Sequence, residues 1–384
     1  MKPTILVLGG GIGGVTAAKE LSRKVGNEGG IDLACIQVFE REKKSLFAPS
    51  LTWMMVGKRE KGQLTRDLSS IEYNGIEMIY GEIESIDPQA RSVVSNGVEY
   101  KGDYMIISLG SELIDEFQLE SIGHNIYTIR GASAFHQDLQ SFTGGEIAVV
   151  VSSLPHKSPV APYEAALLID DYLSDTPFGE NTTISLYTPE AKPMAFASRE
   201  ISDQVLQLMG EKGIQSHPNH HVVSRNGDQV LFETSDGEQV KATIDLLAYI
   251  PGHRAPEVIR KADLSGANGW IEVDEQTLQT QFEGVYAIGD NITVSLPNGS
   301  NLPMAGIFAQ YQAATVAHNI ARLIHQKSPD RQYEIKGSYM LDKGGEGIKV
   351  SGNFGSDNLK LGSSSMFKHW EKVLKEKSWF LKNF

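Results

Sequence analysis

The 384-residue chain is 40% apolar, holds 38 glycines and carries a net charge of −13. Such acidity argues against general nucleic-acid binding, which needs basic surface to neutralise phosphates. No run of about 18 apolar residues occurs, which excludes a spanning helix, and the length suits two domains of a glycine-rich α/β enzyme.

The N-terminus "MKPTILVLGGG" enters a strand at once, leaving no room for a signal peptide, so the chain reads as cytoplasmic. An apolar strand, Ile5 to Leu8, runs into Gly9-x-Gly11-x-x-Gly14 and a helix beginning near Ile12. In such a turn the first glycine allows the bend and the second lets backbone approach a pyrophosphate. The third lets helix pack on strand, and the helix N-terminus faces the phosphates. A second strand, Leu33 to Phe39, ends in Glu40, placed to accept hydrogen bonds from a ribose diol, with Arg41 beside it. The gap between them is longer than usual, and "GNEGGID" reads as an extended surface loop. Strand, glycines, helix and terminal acid in this order form a strong dinucleotide signature.

Cys35 is the only cysteine, which excludes an intramolecular disulfide, a CxxC pair and a cysteine-rich metal site. Within "IDLACIQVFE" it reads as a buried packing residue. Further on, the strand Tyr104–Ser108 ends in Leu109-Gly110, where the chain could skirt the adenosine half of a ligand. The stretch "VVVSSLPHKSPVAPYEAALLID" then passes from buried strand to helix, the layout of a nucleotide turn. Its turn holds no glycine, only a histidine, a lysine, serines and three prolines. "TTISLYTPE" and "VVSRNGDQVLFETSDGEQVKATIDLLAYIP" read as strands with hairpin turns at "NGD" and "SDGE", and the helix "ASREISDQVLQLMGEKG" lies between them. His220, His221 and His253 lack metal-ligand spacing with acid partners, so no metal is expected.

"FEGVYAIGDNITV" is a strand with a Gly289-Asp290 turn at its end, and a long helix begins near Gly306 after Pro303. Asp290 can accept a hydrogen bond from a ribityl hydroxyl, which NAD lacks, and the helix N-terminus suits the negative end of a reduced flavin. FAD is therefore the expected cofactor. The expected fold is α/β, with two Rossmann-like (three-layer ββα) nucleotide-binding domains, the second inserted in the first. Residues 1–110 and 246–330 form the FAD domain, 111–245 the insertion, and 331–384 a C-terminal segment for quinone and membrane contact. In its tail "MFKHWEKVLKEKSWFLKNF", Phe367, Trp370, Leu374, Leu381 and Phe384 recur at helical spacing, with a break at Lys377. Lys368, Lys372, Lys375 and Lys382 mostly lie elsewhere around the helix, the pattern of an interfacial membrane anchor. Docking on its own domain or on a dimer partner is the alternative.

"FAPSLTWMMVG", "SPVAPYEAA", "YIPGHRAPEVI", "GWIEVDEQTLQTQFEGVYAIGD" and "LPMAGIFAQYQA" together resemble sulfide:quinone oxidoreductases and the flavoprotein subunit of flavocytochrome c sulfide dehydrogenase. The resemblance runs from residue 4 to about 350. It implies an FAD site that includes Pro49, a quinone partner, peripheral membrane attachment and Glu164 near the flavin as a proton carrier, and the FAD is expected to be non-covalent because no cysteine lies near residue 130 to tether it. His156 and Lys157 would be a donor-side pair. The family's redox cysteines fall on Ser158, on or near Tyr339 and near Arg130, and the lysine of "LPKAG" is Met304 here. A serine cannot form a persulfide, so the usual sulfur relay is absent.

Three functions follow: a flavoenzyme moving electrons from an unidentified small-molecule donor to membrane quinone, a type II NADH dehydrogenase, or a catalytically degenerate FAD-binding module. The missing second glycine turn weighs against NADH. A homo-oligomer is compatible with the sequence.

Overall fold

The computed structural model describes residues 2–25, 33–73, 75–194, 196–356 and 358–384. The "GNEGGID" stretch, 26–32, lies outside the described residues. Four parallel strands open the first sheet: β1 (Thr4–Leu8), β2 (Cys35–Glu40), β3 (Ile76–Tyr80) and β4 (Tyr104–Ile107). The chain then builds a second parallel sheet from β5 (His124–Asn125), β6 (Gly145–Val151), β7 (Thr182–Tyr187), β8 (Gln215–His217) and β9 (Leu246–Ile250). It returns with β10 (Val285–Ala287), which pairs β4 at the edge of the first sheet. The spatial orders are β10-β4-β1-β2-β3 and β5-β9-β6-β7-β8. β9 pairs β6 in the second sheet, so that sheet reaches past residue 245, where the sequence-based boundary stood. An antiparallel sheet of β11 (Lys336–Asp342), β12 (Gly347–Asn353) and β13 (Asn358–Leu361) follows.

Five helices matter for the site: α1 (Ile12–Val25), α2 (Leu51–Met54), α3 (Ala161–Ser174), α4 (Gly306–Ile324) and α5 (Met366–Asn383). α1 packs along α4. Both sheets are continuously apolar where they cross the core: Ile5 to Leu8 and Ile147 to Val151 are fully buried, as strands covered on both faces must be. Cys35 opens β2 and is half-buried, because it stands where the strand emerges from the core. The two hairpins occur as expected, with Gly227 and Gly237 at positive φ between antiparallel strands.

α5 does not float free. Val373, Glu376, Trp379, Phe380 and Asn383 are buried against the rest of the molecule. Trp379 and Phe380 pack on Phe47, and the Arg66 guanidinium lies over the Phe380 ring. The opposite face is bare: Phe367 is 76% exposed, Trp370 53%, Leu374 60% and Leu381 85%. Phe384 leaves the expected strip, being half-buried against Trp379 and Phe380. Among the described residues no helix is long and apolar enough to cross a membrane.

Candidate active site

The order of the first sheet reverses at β1, which has β2 on one side and β4 on the other, and ligands of open α/β sheets bind at such switch points. There the chain makes the Gly9–Gly14 turn. A Cβ on Gly14 would stand 1.8 Å from the Gly9 carbonyl oxygen, so this glycine is required by the turn itself and does not line the site. A Cβ on Gly11 would meet nothing within 4 Å. Packing therefore gives no reason for the bare position, and the space over it opens into a large cavity.

That cavity measures about 1470 Å³, more than the ~300–1,000 Å³ of ordinary small-molecule sites. It has room for a dinucleotide and a second molecule. Gly9, Gly11, Glu40, Arg41, Pro49, Gly110, Gly289, Asp290 and Gly306 all line it. Glu40 closes β2, and its carboxylate accepts from the Gly10 N–H at 2.7 Å and the Glu42 N–H at 3.1 Å. Held this way, it retains lone pairs for a diol. Arg41 stands exposed at the rim, 3.8 Å from Glu82. Gly289 takes a positive φ and donates to Gln312 Oε1 at 2.7 Å, which turns Asp290 toward the cavity. Burial pushes the Asp290 carboxyl up, opposed by the Lys157 ammonium. A free helix N-terminus over an unfilled glycine, a fixed acid at the adjacent strand end and a buried acid beyond form a set that fits FAD.

The glycine-free turn after β6 has a different use. Ser158 adopts a positive φ of 54° and donates its N–H to the Met304 carbonyl at 2.8 Å, tying this turn to the loop before α4. Lys157 lines the cavity, and its carbonyl accepts from the Tyr127 hydroxyl at 2.6 Å. His156 does not line it. Its buried ring turns inward, with Nε2 3.8 Å from the carboxylate of Glu190, which also accepts from the Tyr163 hydroxyl. The expected His156–Lys157 donor-side pair is thus split, because successive residues of a turn point to opposite sides. His253 is buried beside Tyr127, and burial, Lys157 and His156 together drive it down to about 2, leaving it neutral. Arg130 lies on the surface, paired with Glu120. Tyr339 and Met304 do line the cavity, Tyr339 wedged between Phe196, Phe308 and Phe354.

Glu164, in the first turn of α3, is buried in the cavity wall. Its Oε1 accepts from Thr52 Oγ1 and Lys372 Nζ, each at 2.5 Å, and its Oε2 from the Asp342 N–H at 3.1 Å. Burial raises its carboxyl above the usual range. The Lys372 ammonium pulls down and the Asp342 charge pushes up. Lys372, expected away from the apolar strip as a cation of the membrane anchor, turns inward, where Glu164 offers it a partner and Trp53 a ring 4.4 Å away.

Lys372 belongs to a row of three inward polar side chains on α5. His369 Nδ1 meets Asp342 Oδ2 at 2.7 Å, and Glu376 pairs with Arg59 Nε at 3.0 Å and with the Ser50 hydroxyl. The residues sit at spacings of three and four, along one face. Sequence reading missed Thr52, Asp342, His369, Arg59 and Glu376. The H-x-x-K-x-x-x-E spacing was the available signal, but nothing in it shows that the charges point inward.

The family described as pyridine nucleotide-disulphide oxidoreductase matches residues 3–319. The mitochondrial sulfide:quinone oxidoreductase of Mus musculus is 24% identical over 344 residues, 86% of this chain and 73% of that one. The type II NADH:quinone oxidoreductase of Haemophilus influenzae is 22% identical, with 84% of this chain and 81% of that one covered. The solved sulfide:quinone oxidoreductase of Aquifex aeolicus superposes with a TM-score of 0.89 at 21% identity, covering 99% of this chain and 91% of that one.

Proposed function

Because the chain belongs to the pyridine nucleotide-disulphide oxidoreductase family, we propose that it is a sulfide:quinone oxidoreductase-like flavoenzyme. It passes electrons from a small-molecule donor through non-covalently bound FAD to quinone, without a cysteine relay. When bound, FAD supplies the two-electron chemistry. Gly11 and the α1 N-terminus would hold its pyrophosphate, Glu40 its ribose and Asp290 its ribityl chain. What remains for the protein is the proton. The observation that carries this reading is Glu164, a buried carboxyl in the cavity wall with raised proton affinity. A quinone takes up protons as it is reduced, and Glu164 is placed to supply one.

The test is reoxidation of photoreduced enzyme by a short-tailed ubiquinone. Glu164→Gln should keep the flavin and slow reoxidation by about 10²–10⁴-fold, the usual worth of a positioned acid. In the unsubstituted enzyme the rate should fall as pH rises through the raised Glu164 value, since the protonated form is the donor. A rate equal in both proteins and flat with pH would defeat the assignment.

NADH is disfavoured as donor. The turn before α3 has no glycine, and the first turn of α3 carries Pro162 and the Glu164 carboxyl, where a second dinucleotide would present its phosphates. Anaerobic NADH should leave the flavin yellow; rapid bleaching would favour the type II NADH dehydrogenase reading.

The bare strip of α5 supports attachment to a membrane surface. Each large side chain it buries contributes roughly 1.5–3 kcal/mol. Deleting the helix would also remove Lys372 and Glu376 from the core, so point changes on the outer face are the cleaner test. The triple variant F367E/W370E/L381E should retain flavin and fold yet stay in the supernatant when anionic liposomes are pelleted. If it pellets as before, or if a dimer falls to monomer instead, the strip belongs to another contact.

A further inference from the structure

Asp342 and His369 take no part in the scheme so far. Neither lines the cavity, so neither touches a substrate. Yet Asp342 is buried at the end of β11, and its carboxylate is fully occupied: Oδ2 accepts from His369 Nδ1 and, at 3.2 Å, from Trp53 Nε1, while Oδ1 accepts from the Gly344 N–H at 2.9 Å. The same residue's backbone N–H holds Glu164 Oε2. Two carboxyl groups are thus buried within one network, and only one faces the cavity. A nearby anion makes its neighbour harder to ionise.

We propose that His369 and Asp342 are positioning residues that set when Glu164 holds its proton. The inference rests on the reading of Glu164 as proton donor and adds its control. While Asp342 is paired with an imidazolium, Glu164 feels a nearly neutral neighbour. When His369 loses its proton, the Asp342 charge is uncompensated and Glu164 keeps its own proton more tightly. Other charged groups around this network are Lys372 on α5, Arg59 with Glu376 across Trp53, the Lys58–Asp171 pair beyond Gly344, the Lys343–Glu346 pair after Asp342, and Glu371 with Lys349 and Lys375. Histidine is a side-chain type in this set that can exchange a proton with solvent without losing a metal or covalent bond.

Infrared difference spectroscopy of the oxidised holoprotein tests this without turnover. The carboxyl band that disappears in Glu164→Gln identifies Glu164, and its intensity is followed against pH. Asp342→Asn removes the neighbouring anion and should lower the Glu164 midpoint by about one unit or more. His369→Gln keeps a donor to Asp342 but cannot carry charge, so it should move the midpoint the other way. The pH profile of reoxidation by a short-tailed ubiquinone should shift in the same opposite directions. Midpoints unmoved, or moved together, would overturn the inference while leaving Glu164 as donor. A Glu164→Gln enzyme reoxidised at the full rate would overturn the underlying reading and this one with it. Should Asp342→Asn fail to fold, His369→Gln alone decides: an unmoved or lowered midpoint rejects the proposal.

Discussion

Gly11→Val should give a folded protein that purifies without colour. The substitution is harmless to the chain, since nothing lies within 4 Å of the new Cβ and Gly11 does not use a positive φ. Its branched side chain would instead project into the space proposed for the pyrophosphate. Flavin content should drop to the level of background while circular dichroism and elution volume stay unchanged. Gly14→Val is the control, for there the side chain collides with the Gly9 carbonyl and soluble protein itself should be lost. A yellow Gly11→Val protein would show that the ligand avoids this turn.

The second large effect concerns sulfide. Ser158 and Tyr339 line the cavity at the positions where the family resemblance puts redox thiols, and neither can carry sulfane sulfur. Sulfide should therefore bleach the flavin slowly, with a rate that climbs linearly with concentration and shows no saturation. Ser158→Cys alone should not restore saturable turnover, because a relay through a disulfide needs a second thiol and Tyr339 fills that place among three phenylalanines. Rapid, saturable bleaching at micromolar sulfide in the unsubstituted protein would require a route through other residues.

Much of this architecture is legible in the chain. The β1 turn declares itself because glycine spacing, an apolar strand and a terminal acid occupy about forty consecutive residues, and local geometry decides what they do. The exposed strip of α5 is equally plain, since large apolar side chains at helical spacing stand out in an acidic sequence. The inner face of that helix is not. Lys372 and Glu164 are 208 positions apart, and a charge that will be buried against a distant partner looks the same as one bound for water. His156 failed for a related reason: its neighbour Lys157 faces the cavity, and only the fold decides which of two adjacent side chains turns inward. The pairing of β9 with β6, past residue 245, was not legible either, because β9 is apolar throughout and carries no mark of the sheet it joins.

The three inward polar side chains of α5 also act as a key with three teeth. A helix held by apolar contact alone can slide by a turn at modest cost. One that must seat His369, Lys372 and Glu376 on Asp342, Glu164 and Arg59 cannot, since a shift strands several buried polar groups at once. The outer strip rides on the same rigid rod. Whatever surface takes up Phe367, Trp370 and Leu381 is therefore held at a fixed height above the cavity wall, like a gauge block. Tilting that surface would strain the seat of Lys372 beside Glu164, so the cavity wall would feel a mechanical load from outside the protein.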